Sequence, residues 1–406
     1  MKKTYLACIS LAALVALSGC LGIEKPKDES PPPALPGPLA KAVAATVSTS
    51  AAPGVVGLVL WRDRTEELQA AGVRVVGRAA PMSVNDRIGL GSCTKAMTSL
   101  MVARVVETGP LAWSATIAET LGPGDGKTDP GWAQPTLLDL LHHRSGMASD
   151  EDFVAAGFTT LPVFPGTATE QRQQLVSIAL QQAPAVKRGE FHYSNAGYAT
   201  AALMAEQAAG SDWRTLMQQR VLLPLGISAG FGWPGQGLAD GVAGHKKIDG
   251  RWAVIDPATT QLVPPYYEPA GALAMSLPDY GKFLAATLDA MRGKPRVAGA
   301  AAWATLLGIV GDIPNGDVGP IAETELPSAC GWQVIKHRGR EVWFHGGLTD
   351  GFSCYTYLVP SAALAVTMAA NAGDTIDELS KRGLQVVDAY LDREGVPPVA
   401  MPGSSG

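Results

Sequence analysis

Apolar and polar positions change rhythm several times along the chain, and each change predicts an element. Residues 55–61 and 68–76 are short runs rich in β-branched side chains, separated by turn-like polar residues, which predicts two strands of a hairpin. A helix is expected from about Ser92 to Glu107, stopped by Gly109-Pro110. From there to about residue 265, helical segments around 137–142, 171–182, 195–209 and 213–223 alternate with loops rich in glycine and proline. Ser276-Leu277-Pro278-Asp279 reads as a helix start, with a capping serine and a first-turn proline, opening a helix to about Met291. Strand-like runs then follow closely at 331–336, 341–345, 352–359 and 364–368, with His337-Arg338-Gly339-Arg340 as a hairpin turn. Connections this short make neighbouring strands antiparallel. A last helix is expected at about 375–392, and no internal repeat is visible.

The predicted fold class is α/β of the α+β type: an antiparallel sheet flanked by helices, with an all-helical lobe inserted into it. The sheet lobe takes residues 39–110 and 265–395, the helical lobe 111–264, and 396–406 is a tail. With 406 residues and 47% of them apolar, the chain is long enough to bury a core of that size.

The amino-terminal pattern is different. Met1-Lys2-Lys3 precedes an apolar run at 5–17 that is too short for a hydrocarbon core of about 30 Å, so it reads as a secretory signal. It ends in Leu17-Ser18-Gly19-Cys20, which resembles a bacterial lipobox and makes residues 1–20 a lipoprotein signal peptide with Cys20 the lipidated residue. Residues 21–38, polar and then proline-rich, are expected to form a stiff tether. The expected address is therefore outside the inner membrane, anchored by the lipid on Cys20, periplasmic or at the cell surface. Leu21 hints at outer-membrane sorting.

Charge and cysteine content narrow the chemistry. The formal net charge is −5 and the basic residues are scattered, so no nucleic-acid footprint is present. Of five cysteines, Cys8 lies in the signal and Cys20 is taken, leaving Cys93, Cys330 and Cys354, an odd set that excludes a full disulfide framework. Neither C-x-x-C nor H-E-x-x-H occurs, so neither a metal nor another cofactor is expected.

Three short motifs could carry a reaction. Ser92-Cys93-Thr94-Lys95 opens a predicted helix, which puts a hydroxyl and an amine one turn apart on one face. A serine hydroxyl needs a neighbouring base, and a lysine serves if burial or the positive helix terminus depresses its pKa. Tyr193-Ser194-Asn195 stands at a loop-to-helix transition; Tyr193 could exchange protons with Lys95, and Asn195 could orient Lys95 and a substrate amide. His345-Gly346-Gly347 ends an apolar strand, where glycines would let a substrate lie against the edge. The backbone N–H of Leu348, with that of Ser92, would then form an oxyanion hole. Each motif alone has a structural explanation: a chance spacing, a core tyrosine beside a capping asparagine, a strand entering a glycine turn.

Taken together, the motifs resemble the family of class C β-lactamases, serine D-Ala-D-Ala carboxypeptidases and related esterases, over roughly residues 40–392. The resemblance extends to Leu140-Leu141-His142-His143-Arg144-Ser145-Gly146, Pro224-Leu225-Gly226-Ile227 and the stretch 270–279. It implies acyl transfer, with Ser92 as nucleophile, Lys95 and Tyr193 as proton carriers, and water hydrolysing the acyl-enzyme. The implied partner is a small molecule or peptide with an ester, amide or lactam carbonyl. Where the β-lactamases usually carry Lys-Thr-Gly, this chain has His-Gly-Gly, which removes a cation and a hydroxyl that would hold a substrate carboxylate. Ester, amide or peptide substrates are favoured over true β-lactams for that reason. Gly226-Ile227-Ser228-Ala229-Gly230 also fits G-x-S-x-G, but that elbow needs a strand before it and a helix after it, and the flanking residues predict neither. Cys93 is expected to pack behind Ser92, and His142, His143 and His192 to be structural. The alternative function is a non-catalytic relative that binds cell wall or a partner through the same cleft.

Overall fold

The computed structural model describes residues 37–49, 51–121, 127–155, 163–235, 241–260, 262–313 and 327–395. The expected signal peptide with Cys20, almost all of the tether and the tail at 396–406 lie outside the described residues. Pro38, expected to end the tether, instead opens a helix, Pro38–Ser48. A proline suits that position because its missing N–H is one a first turn leaves unused and its φ is already helical.

Seven strands form one antiparallel sheet, in the order Arg64–Gly72, Gly54–Trp61, Leu364–Ala370, Phe352–Val359, Arg340–Thr349, Trp332–His337 and Ser328–Ala329. The two ends of the chain meet where Gly54–Trp61 pairs with Leu364–Ala370. Arg62 and Asp63 both take positive φ, 51° and 69°, so the first hairpin turns through two residues. That tight turn places the second strand at Arg64–Gly72 rather than at 68–76. Its charged first half, Arg64-Thr65-Glu66-Glu67, hides it from a search for apolar runs. Arg338 and Gly339, at φ 50° and 72°, make the second predicted hairpin in the same way.

Phe352–Val359 and Leu364–Ala370 are buried at every position, because helices cover both faces of the sheet. Alternation along Gly54–Trp61 shows the two faces: Val55 and Val59 join the core made with Leu39, Val43, Leu379 and Tyr390. Val56, Leu58 and Leu60 join the core made with Met97, Leu100 and Leu284. Between them, a Cβ on Gly57 would stand 2.6 Å from Leu39 Cδ1, so the missing side chain lets Pro38–Ser48 close on the sheet.

The Arg340–Thr349 strand does not stop at His345. Phe352–Val359 pairs with it as far as Thr349, whereas Trp332–His337 releases it after Phe344. Residues 345–349 are thus held on one side only.

The inserted segment is helical through Leu225, with Ala168–Leu180 and Asn195–Ala209 its longest helices. The expectation of an all-helical segment gives way after that. Gly226 ends the last helix in the left-handed conformation, φ 63°, and Ala229–Phe231 then pairs with Leu273–Met275, which also pairs with Ile88–Gly89. Strands His245–Ile248 and Arg251–Val254 form a separate hairpin across Asp249-Gly250, both at positive φ. The small sheet matters for the site, because it fixes the approach to Ser92.

Candidate active site

Ser92 sits in a 3₁₀ turn, Gly91–Cys93, that runs straight into the helix Thr94–Thr108. The turn is pinned where Leu90 N–H donates to Leu273 O at 2.9 Å and Leu273 N–H to Thr94 Oγ1 at 3.2 Å. Lys95 then emerges one turn beyond Ser92, fully buried. Its Nζ lies 3.0 Å from Ser92 Oγ, 2.7 Å from Asn195 Oδ1 and 3.0 Å from Ala270 O. The Tyr193 hydroxyl reaches the same Ser92 Oγ at 2.9 Å.

Tyr193 is held by the loop before Asn195–Ala209. Ser194 caps that helix by accepting from Gly197 N–H, so the cap is the serine and Asn195 is free to turn inward. His143, left-handed at φ 57°, accepts the Ser194 N–H on Nδ1 at 3.0 Å and stacks on the Tyr193 ring at 4.4 Å. Asn195 Nδ2 donates to Asp150 Oδ2 at 2.8 Å.

Burial pulls the Lys95 pKa down to about 7, against the opposing pull of the Asp150 carboxylate. A neutral amine has two N–H bonds and one lone pair. Asn195 Oδ1 and Ala270 O can only accept, so they take both N–H bonds and the lone pair is left for the Ser92 hydroxyl. Tyr193 is then the donor to Ser92 Oγ. The arrangement can therefore draw a proton from Ser92 on one side and supply one on the other.

Two glycines bring the strand and the 3₁₀ turn together. A Cβ on Gly347 would stand 1.9 Å from Leu90 O and 3.0 Å from Ser92 N, and one on Gly91 would stand 2.5 Å from Leu348 N. No side chain fits between the segments, and the backbone nitrogens of Ser92 and Leu348 come to one corner. His345, nearly buried, contacts Gly346 O through Nδ1 at 2.7 Å. A carbonyl only accepts, so Nδ1 carries the hydrogen, and a neutral His345 has a lone pair on Nε2 rather than a donor.

These groups line a cleft of about 940 Å³ that includes Ser92, Tyr193, Asn195, His345, Gly346 and Leu348. Its described lining also carries five acidic side chains, Asp150, Glu151, Asp152, Asp350 and Asp374, against Lys246 and three histidines. The structure thus brings Ser92, Lys95, Tyr193 and Asn195 into direct contact and sets 345–348 beside them; Cys20 lies outside the described residues. Ser228 is elsewhere, accepting from Arg87 at 2.9 Å, with a strand after it instead of the helix an elbow requires. Cys93 is buried with Sγ 3.4 Å from His345 O, and Cys93, Cys330 and Cys354 are all unpaired. His192 pairs with Asp152 at 2.5 Å. Sequence reasoning passed over Asp150, the acceptor Ala270 O, and the bracing of Tyr193 by His143.

The family model described as Beta-lactamase matches residues 39–391. The chain belongs to the beta-lactamase family. This is a family of serine hydrolases, as the contacts at Ser92 lead one to expect. Among its relatives, the beta-lactamase-family protein is similar to unguisins hydrolase ungD of Aspergillus violaceofuscus, with 25% identity over 79% of this chain and 58% of the fungal one. It therefore spans less than two thirds of that relative's length. Penicillin-binding protein 4 of Amycolatopsis lactamdurans is 24% identical over 79% of this chain and 81% of its own. The octameric penicillin-binding protein homologue from Pyrococcus abyssi shares the fold, with a TM-score of 0.69 at 19% identity over 87% of this chain and 77% of its own.

Proposed function

We propose that the protein hydrolyses esters, amides or peptides through an acyl-enzyme on Ser92, with Lys95 as the base and Tyr193 as the acid. The observation that carries this is the double contact at Ser92 Oγ, an amine at 3.0 Å and a phenol at 2.9 Å. In the proposed sequence Lys95 takes the Ser92 proton as Oγ bonds to the carbonyl carbon. The oxyanion that forms is met by the N–H groups of Ser92 and Leu348, a corner where removal of one donor is typically worth about 10² to 10³ in rate. The bond to the leaving group breaks as Tyr193 protonates it, and Lys95 restores the proton to Tyr193. Water then repeats the cycle on the acyl-enzyme, releasing an acid and regenerating Ser92. Asn195 orients Lys95, and His345, Gly346 and Gly347 form the wall along which the substrate lies.

Substrates without a carboxylate beside the scissile bond are favoured over β-lactams. His345 stands where a lysine would hold that carboxylate, and the acidic cleft lining repels one. A panel of nitrocefin, short-chain nitrophenyl esters and D-amino-acid peptides tests the reading. Ester or peptide turnover should exceed nitrocefin turnover, and Ser92→Ala should abolish both turnover and fluorophosphonate labelling. Labelling that persists in Ser92→Ala would move the nucleophile elsewhere.

We also propose export and lipid anchoring through Cys20, supported by the signal-like run at 5–17 and by Leu17-Ser18-Gly19-Cys20.

A further inference from the structure

Asn195 is useful to Lys95 only in one of its two amide orientations. With Oδ1 toward Nζ, the amine donates and its lone pair stays on Ser92. With the amide turned over, a donor would face the amine, and the lone pair would be drawn from Ser92 to meet it. The contact that decides between the two lies on the far side of the amide, where Nδ2 donates to Asp150 Oδ2 at 2.8 Å. An ionised carboxylate only accepts, so the amide cannot turn over without losing this bond and setting two oxygens against each other.

We propose that Asp150 is a positioning residue: it locks the Asn195 amide so that Lys95 keeps its lone pair on Ser92. Asp150 is the first residue of a short helix, Asp150–Ala155, 45 residues before Asn195 in the chain, and it lines the cleft. It is the carboxylate that opposes the effect of burial on Lys95. The other groups facing Lys95 are Cys93 at the end of the preceding 3₁₀ turn, Tyr193 and Tyr198 from the lobe, His143 behind Tyr193, and the uncharged Ala270 carbonyl, with His345 beyond them, 6.5 Å from the Tyr193 ring. Burial holds His143 well below the usual histidine range, which keeps it neutral in the working window. His345 is the same in every variant compared below and drops out of the difference.

This rests on the proposed hydrolysis, so the test begins with the full-length wild type, using a short-chain nitrophenyl ester and fluorophosphonate labelling. No turnover and no labelling in the wild type would sink the proposed function before Asp150 is reached. With an active wild type, Asp150→Ala should lower the plateau kcat/KM by about tenfold to a hundredfold, the usual effect of removing a group that orients an active-site side chain. Asp150→Asn keeps an acceptor oxygen and should recover much of that loss. Both variants remove the negative charge, so Lys95 loses its proton more readily and the acid limb of the kcat/KM profile should move to lower pH. In an Asn195→Ala background, Asp150→Ala should add little to the plateau loss, because the partner through which it acts is gone. A folded Asp150→Asn enzyme whose acid limb stays in place, or plateau losses that simply multiply in the double variant, would overturn the proposal.

Discussion

Lys95 is a buried amine that can act as the proposed base only when uncharged, and its environment sets the pH at which it becomes so. Burial brings its pKa to about 7. In the proposed mechanism the neutral form removes the Ser92 proton, so kcat/KM should rise as pH increases through about 7 and level off above it. A profile flat from pH 5 to 9 would show that another group governs the step. Lys95→Ala should reduce turnover by about 10² to 10⁴, the range of a lost general base, as measured on the same ester. Much of this residue-scale site is legible in sequence, because Ser92 and Lys95 are one turn apart and Tyr193 and Asn195 stand two residues apart where a loop enters a helix. Asp150 and Ala270 are not legible, because they reach the site across 45 and 175 residues with no local pattern to announce the contact. His143 shows the same limit in another form: from sequence it is only expected to be structural, and the fold alone reveals the 4.4 Å stack on Tyr193.

At the scale of elements, the corner between the 3₁₀ turn and the Arg340–Thr349 strand is the most demanding. Gly347→Ala would drive a methyl into Leu90 O, at 1.9 Å, and must force the strand away from Ser92. We expect turnover and fluorophosphonate labelling to fall together by about 10² or more, the effect of losing an oxyanion donor, with a lowered Tm. Near-normal labelling in a folded Gly347→Ala protein would mean that the corner plays no part in acylation. The sheet and its hairpins are largely legible, since apolar runs and the turn at Arg338-Gly339 mark them. The helix Pro38–Ser48 is missed beside the proline-rich stretch that precedes it in sequence, although Leu39, Ala42, Val43 and Thr46 recur at helical spacing and are buried. The hairpin at Asp249-Gly250 is missed despite one of the strongest short turn signals, because its strands are polar and barely alternate. The strand's continuation to Thr349 is likewise hidden by two glycines that locally read as a turn.

At the scale of the molecule, one core ignores the boundaries drawn from sequence. Leu58 of the sheet, Met97 of the helix that follows Ser92, and Leu203 and Trp213 of the inserted segment belong to the same buried cluster. The lobes are thus sequence segments rather than separate bodies, and the amine and phenol that meet at Ser92 are held by a shared interior. Anchoring is tested at this scale too. In a bacterial host that processes lipoproteins, Cys20→Ser should shift the protein from the membrane to the soluble fraction and abolish incorporation of labelled palmitate. Equal membrane retention by both forms would sink the lipid anchor.

The acidic lining of the cleft has one more effect. Hydrolysis converts an uncharged carbonyl into a carboxylate, and so deposits a new negative charge among five that line the site already. Like charges in a confined space repel more strongly than in open water. In the proposed reaction the product would be pushed out by the same field that discourages anionic competitors from entering, so that each turnover helps to clear the site for the next.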